Sequence, residues 1–344
     1  MRKPNSLNLI RLLLATVVIV AHSWPLGGFG DEWLLGTKGF GTWAVDGFFC
    51  ISGFLIASSR MRLPPARFLW NRALRILPGF WVCLAVVAFV AAPISSLASG
   101  EVYSLRSGLT YVTHNAGLQI FQWNIGHTLT SVPHPGAWDG SLWTLYIEAI
   151  GYVAATVVLT GWLRRHATTV CLVLLAGAAG VLPWATSHVS TNLYLNCLEL
   201  GVFFLAGMVL FTVSDRLSVS ALWAGTAVLL LIVTILLGVD KELAPLPLAY
   251  LLMWAGAVIP PHWAQRIDIS YGVYVYAFPV QQLLALAGAQ VWGWWAYMVL
   301  SVALTVPVAW ASWLLVEQPA LRFKSKRPRR TFVREPIPVK SAAI

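Results

Sequence analysis

From Ile269 to Val316 the sequence runs for 48 residues without an Asp, Glu, Lys or Arg. A helix needs about 20 mainly apolar residues to cross the hydrocarbon of a bilayer, so this run is more than two crossings long and must fold back on itself. The turn is expected at GAQVWG, Gly288 to Gly293, where two glycines bracket the apolar pattern. Inside lipid the chain must satisfy its own backbone N–H and C=O groups, which leaves helices as the form for segments of this length. The same criterion marks ten segments, at about 8–27, 42–59, 76–95, 140–161, 168–187, 194–213, 218–239, 244–261, 269–289 and 292–316. The expected fold class is all-α: a polytopic transmembrane helical bundle of about ten spans.

Composition supports this. With 58% hydrophobic and 10% charged residues, and a mean hydropathy of +0.73, the chain has too little polar surface to coat a soluble globule. Its 18 Trp suit the two water interfaces of a bilayer. The basic opening and apolar core of the first segment resemble a secretory signal. Arg11 interrupts that core and no small-x-small cleavage site follows, so a retained first span is expected. Cys50, Cys83, Cys171 and Cys197 all fall in apolar segments without metal-like spacing and read as small buried hydrophobes.

The formal charge of +10 raises the question of nucleic acid, and the distribution of charge answers it. Of the 23 Lys and Arg, 19 fall in loops on the side of the N terminus, whereas only Lys38, Arg106 and Lys241 fall in the opposite loops. That asymmetry predicts cytoplasmic N and C termini, and charges that meet anionic membrane lipids rather than nucleic acid. Residues 1–321 are expected to form the membrane domain and 322–344 a basic, disordered cytoplasmic tail. On the outer side the longest connection, 96–140, holds His114, His127 and His134, whose spacing matches no common zinc motif. No metal site is expected.

Several polar groups interrupt the spans. Arg11 and His22 are eleven positions apart in the first, so a helix separates them by about 16 Å and returns them to nearly one face. Ionisable groups in a span normally face a protein interior or a wet cavity, so this stripe marks a reaction path. Asp46 lies near the outer end of the second span, followed by small residues Ser52 and Gly53 that permit close helix contact. Arg72 and Arg75 stand at i, i+3 on the inner side before the third span. Thr144 and Glu148 stand one turn apart in the fourth, Glu199 lies in a later span, and Glu317 with Pro319 closes the last. A secondary transporter would also hold ionisable groups in its spans, but the paired halves with interrupted helices common to transporters are not evident.

In this order the motifs resemble the acyltransferase 3 family of integral-membrane acyltransferases: the Arg and His of the first span, VDGFFCISGFL, the Arg72-x-x-Arg75 pair, SLWTLYIE, SYGVYVYAFPV and VEQPALRF. The resemblance covers residues 9 to about 323. It implies transfer of an acyl group, commonly acetyl, from a cytoplasmic acyl-CoA such as acetyl-CoA to a hydroxyl. The acceptor would be a cell-surface or lipid-linked glycan, with a small hydroxylated metabolite acylated from the cytoplasmic side as the alternative. The setting would be a bacterial inner membrane. Arg11, Arg72 and Arg75 would bind the donor's phosphates or pantetheine, since guanidinium offers a planar, permanently charged donor fork. His22 would act as general base or as covalent acyl carrier. Glu148, the deeper acid, would orient its imidazole, with Asp46 as the other possibility. Tyr111, Trp123 and Trp138 would stack on sugar rings. Two departures stand out. Many relatives have a His where this chain has Ala277, and the soluble hydrolase-like domain that some relatives append is not expected.

Overall fold

The computed structural model describes residues 6–260 and 268–324. Helix α1, Leu7–Gly27, leads through a hairpin of two-residue strands, β1 Leu34–Leu35 and β2 Lys38–Gly39, into α2, Phe40–Arg60. Next, α3, Pro65–Val86, passes through a π-helical turn at Val87–Ala91 into α4, Ala92–Ser99, and α5, Leu105–Asn115, follows. After a long irregular segment come α6, Trp143–Val158, α7, Gly161–Arg165, α8, Ala167–His188, and α9, Asn192–Val213. Then follow α10, Ala221–Leu236, α11, Asp240–Leu243, α12, Pro245–Val258, and α13, Ser270–Leu286. Finally α14, Trp294–Ser312, continues through a π-helical turn at Trp313–Glu317 into α15, Gln318–Leu321.

A helix occupies each of the ten apolar segments. Six of the continuous helices, Leu7–Gly27, Phe40–Arg60, Pro65–Ser99, Ala167–His188, Asn192–Val213 and Trp294–Leu321, are long and apolar enough to cross a membrane by length and composition, and α6, α10 and α12 are shorter apolar helices. The protein is an integral membrane protein. The turn expected near Gly288 is present: Gly288 at φ +77° and Gly293 at φ +87° flank a 3₁₀ turn at Ala289–Trp292, conformations that glycine adopts without a Cβ clash.

Helix α3 departs from the expected boundary. Pro65 occupies its first turn, where the missing N–H costs nothing and φ is already helical, so the helix begins eleven residues before position 76. Arg72 and Arg75 therefore stand on a rigid helix rather than in a loop. The long connection at 96–140 differs too. Ser104 accepts from the Ser107 backbone N–H at 3.3 Å and caps the eleven-residue α5 within it. Basic residues from 325 onward, with most of the predicted tail, lie outside the described residues.

Glycine sets the closest helix contact. A Cβ on Gly53 of α2 would stand 1.9 Å from the Phe204 carbonyl oxygen of α9, and one on Gly207 would stand 2.0 Å from that of Cys50. The two backbones touch where side chains would otherwise hold them apart. At the centre is α13, with 14 of its 17 residues buried, which is why its sequence is uncharged on every face. The four cysteines are free thiols, three of them buried.

Connections alternate between the ends of the bundle. At one end Ser6 Oγ donates to the Ile259 carbonyl, Arg60 Nη2 to Thr160 Oγ1, and Trp70 Nε1 to the Phe323 carbonyl at 3.3 Å. This end, where α2 and α6 finish and α3 and α8 start, carries Arg60, Arg62, Arg67, Arg164 and Arg165. At the opposite end Lys38 is no free surface charge. It is buried, with Nζ 2.7 Å from Asp46 Oδ2 and 3.2 Å from Glu199 Oε1, while Lys241 reaches the other Glu199 oxygen at 3.1 Å. Two cations matched by two carboxylates tie the hairpin and α11 to α2 and α9.

Candidate active site

At the basic end two segments distant in sequence converge on Asp268, which precedes α13. Arg75 of α3 approaches its Oδ2 at 2.5 Å and Arg11 of α1 at 3.2 Å, while Ser270 Oγ donates to Oδ1 at 2.6 Å. Arg75 also lies 3.7 Å from Glu317, in the π-helical turn after α14. Burial alone would raise the Asp268 pKa, but the Arg75 and Arg11 guanidiniums and the Ser270 hydrogen bonds hold it at about 2. Arg72, one turn before Arg75, stacks 5.9 Å from the Phe68 ring, and its Nε has no hydrogen-bond partner among the described residues. Lys324 joins this cluster. Burial, then repulsion from Arg75 and Arg72, pushes its pKa down to about 8.

Arg11 also lines a pocket inside the bundle with Phe48, Phe49, Ser52, Thr144, Glu148, Ser270, Tyr271 and Tyr274. Glu148 accepts from Ser52 Oγ and from the Tyr152 hydroxyl, each at 2.8 Å. Thr144 and Tyr274 share a 2.6 Å hydrogen bond, and Tyr271 donates to the Ile76 carbonyl at 2.7 Å. The cavity measures about 40 Å³, room for a few waters. A larger guest must part the surrounding rings.

His22 occupies a separate level of α1, about 16 Å beyond Arg11 by helical rise. Its ring meets Phe278 of α13 edge-on at a centroid distance of 5.5 Å, and His134 approaches Phe278 edge-on at 6.3 Å. The imidazole thus faces protein rather than lipid, and its Nδ1 has no hydrogen-bond partner among the described residues. Gln282 Nε2 donates to the carbonyls of His134 and Ala137, at 2.9 and 2.8 Å, pinning the loop before α6 over this end of α1 and α13. Of the residues proposed from sequence, the structure gathers Arg11, Arg72, Arg75 and Glu148 toward the basic end. Glu148 is bonded to Ser52 and Tyr152 there, His22 stands apart with Phe278, and Asp46 is committed to Lys38.

Residues 5–314 match the model of the acyltransferase 3 family, described as an acyltransferase domain. The chain belongs to the acyltransferase 3 family. It is 28% identical to "Nodulation protein 10" of Rhizobium leguminosarum bv. viciae, over 93% of this chain and 94% of that one. It is 27% identical to the "O-acetyl transferase" of Shigella phage Sf6, over 92% of this chain and 96% of that one. No solved structure matches. The protein is therefore a membrane acyltransferase, a transferase of groups other than amino-acyl groups, and it requires an acyl donor.

Within this acyltransferase, Ala277 is fully buried with Ala15 and Ile19 of α1 and Ala309 of α14, so the position is occupied by tight helix packing. Two imidazoles flank the neighbouring Phe278, those of His22 and of His134. Sequence reasoning missed Asp268 and Asp139. Asp268 had a legible signal, an acid two residues before the SYGVYVY motif. Asp139 lies just before the SLW motif, where it accepts from the Ser141 N–H at 3.1 Å, and burial raises its pKa well above the carboxylate range. Of the three outer-loop aromatics, Tyr111 and Trp138 are core residues, the latter donating to Thr128 Oγ1 at 2.8 Å. Trp123 alone of the three is exposed, at 37%. No cluster of three or more His, Cys, Asp or Glu is placed to hold a metal among the described residues.

Proposed function

We propose that this acyltransferase moves an acetyl group from cytoplasmic acetyl-CoA, or a related acyl-CoA, to a hydroxyl of a cell-surface or lipid-linked glycan. One observation carries the reading: Arg11 and His22 lie on one helix and both face protein, the first in a guanidinium cluster at the basic end, the second against Phe278. The positive-inside asymmetry supports a cytoplasmic basic end, on the side where acyl-CoA is made. Arg72, Arg75, Arg11 and Lys324 then meet the donor's phosphates, with Asp268 and Glu317 fixing the rotamers of two of them.

In the transfer itself His22 takes the acceptor hydroxyl's proton as its oxygen attacks the thioester carbon. The tetrahedral intermediate collapses, the C–S bond breaks, and the CoA thiolate leaves and recovers the proton from the imidazolium. A covalent route through an acyl-imidazole uses the same residue. Glu148 belongs to the donor's path rather than to the imidazole, on the strength of its place beside Arg11. The similarity to a phage O-acetyl transferase supports acetyl and a hydroxyl acceptor.

The test is turnover of labelled acetyl-CoA in proteoliposomes. His22→Ala is expected to abolish transfer with insertion and donor binding retained, and Arg72→Ala with Arg75→Ala to raise the donor KM. Full activity without His22 refutes the assigned chemistry.

A further inference from the structure

On the face of α6 opposite Glu148, a groove runs between α6 and α9. Its outer end is a cup of about 310 Å³ formed by Gln119, Trp123, Trp143, Tyr146, Asn192 and Asn196, with apolar neighbours. Further along lies an apolar slot of about 460 Å³. On α6, Trp143 and Tyr146 of the cup and Ile147, Ile150, Ala154 and Val158 of the slot fall on a single helical stripe. On α9, Leu193 of the cup and Cys197, Gly201, Phe204 and Met208 of the slot do the same, with α8 closing the side. Cup and slot thus follow one another along the same stripes of α6 and α9. No charged side chain lines either part.

The cup's polar groups are uncommitted. Among the described residues, the amides of Gln119, Asn192 and Asn196, the indoles of Trp123 and Trp143 and the hydroxyl of Tyr146 make no side-chain hydrogen bond to the protein. Aromatic faces flanked by free amide donors and acceptors match a sugar ring, with its apolar C–H face and its rim of hydroxyls. The slot, from Ile147 to Val158, is about 16 Å long, half the hydrocarbon thickness of a bilayer. Sugar-like chemistry at the outer end and alkyl-like chemistry along the span describe one amphiphile.

We propose that this groove binds a lipid with an uncharged saccharide headgroup, its sugar in the cup and its alkyl chain in the slot. This deepens the proposed glycan acceptor by naming it lipid-linked and neutral, and rests on that reading for its part in transfer, though not for binding. Glycines make it testable without damage to the fold. A Cβ at Gly177 or Gly201 meets nothing within 4 Å, so Gly177→Leu and Gly201→Leu extend into the slot rather than into the protein.

The probe is a dodecyl β-maltoside carrying a diazirine in its alkyl chain, photolysed with the full-length protein in phosphatidylcholine nanodiscs. Peptide mapping is expected to place the label on 173–181 and 197–208. Unlabelled dodecyl β-maltoside competes, and dodecyl phosphocholine of equal chain length competes at least tenfold less well. Trp123→Ala with Trp143→Ala weakens binding about tenfold, and Gly201→Leu removes the label while the size-exclusion profile is unchanged. Equal displacement by dodecyl phosphocholine, persistence of the label in Gly201→Leu, or indifference to the tryptophan changes overturns the proposal. The assay contains no acyl donor, so its failure leaves the acetyl-transfer reading standing. Failure of the His22 test, conversely, leaves the binding result intact.

Discussion

Replacing Asp268 with Asn leaves two guanidiniums facing a neutral amide. In the native protein Asp268 Oδ2 sits 2.5 Å from Arg75 and 3.2 Å from Arg11, with only 15% of the Asp268 side chain exposed. Burial works against the carboxylate, and the two arginines with Ser270 overcome it, moving its pKa from 3.8 to about 2. At 1.36 kcal/mol per pKa unit, the preference for the ionised form contributes about 2 kcal/mol to folding. Because the folded-state pKa is the lower one, this contribution is complete above the unfolded pKa, near 4, and is lost as pH falls through about 2. Asp268→Asn should therefore unfold about 2 kcal/mol more readily at pH 7 in detergent, and the gap should close between pH 4 and pH 2. Arg75 keeps Glu317 at 3.7 Å, so Arg11 is the guanidinium expected to lose its position. On the proposed donor-binding role of both arginines, the donor KM should rise despite the added positive charge. Equal stability at pH 7, or a donor KM that falls, refutes the reasoning, because either outcome means that Asp268 does not position the cluster.

Three further outcomes are expected. Gly53→Leu places a side chain where the Phe204 carbonyl stands 1.9 Å from the first added carbon, so α2 and α9 must separate; a loss of about 3 kcal/mol or more should appear as a collapse of the monodisperse fraction on fluorescence size-exclusion. Lys324 is charged below about pH 8 and neutral above it, so donor affinity should decline between pH 7 and pH 9, and Lys324→Gln should flatten that decline. Glu101 accepts from the backbone N–H groups of Leu129 and Thr130 at 2.8 and 2.7 Å and from Thr130 Oγ1 at 2.6 Å, and these bonds outweigh its burial to lower its pKa. Glu101→Ala should therefore lower hydrogen-exchange protection at 129–131 at neutral pH and loosen the loop that carries His134; unchanged protection there would show that the carboxylate does not anchor it.

What could be read from the sequence was local or periodic. The apolar runs place the helices, because crossing the hydrocarbon demands about 20 apolar residues whatever the neighbours are. Gly53 beside Ser52 announces a close helix contact, and the position of the basic residues marks one end of the bundle. Arg11 and His22 are legible as a stripe because one helix carries both. Helix α5 and the early start of α3 were less so, since a single Ser cap and a Pro at the first turn move boundaries without altering the apolar count.

The charge pairings belong to the tertiary structure alone. Arg11 and Asp268 are 257 residues apart, and Arg75 and Asp268 are 193 apart. Nothing in local spacing tells a guanidinium whether its neighbour will be a donor phosphate or a carboxylate of its own chain. The same is true of Lys38, which counts as an outer-loop charge until folding buries it between Asp46 and Glu199. Three outer-loop aromatics look alike in sequence, yet packing buries Tyr111 and Trp138 and leaves Trp123 in the cup. Helix period is set by backbone geometry within a few residues, whereas the partner of a buried polar group is set by which helices lie side by side.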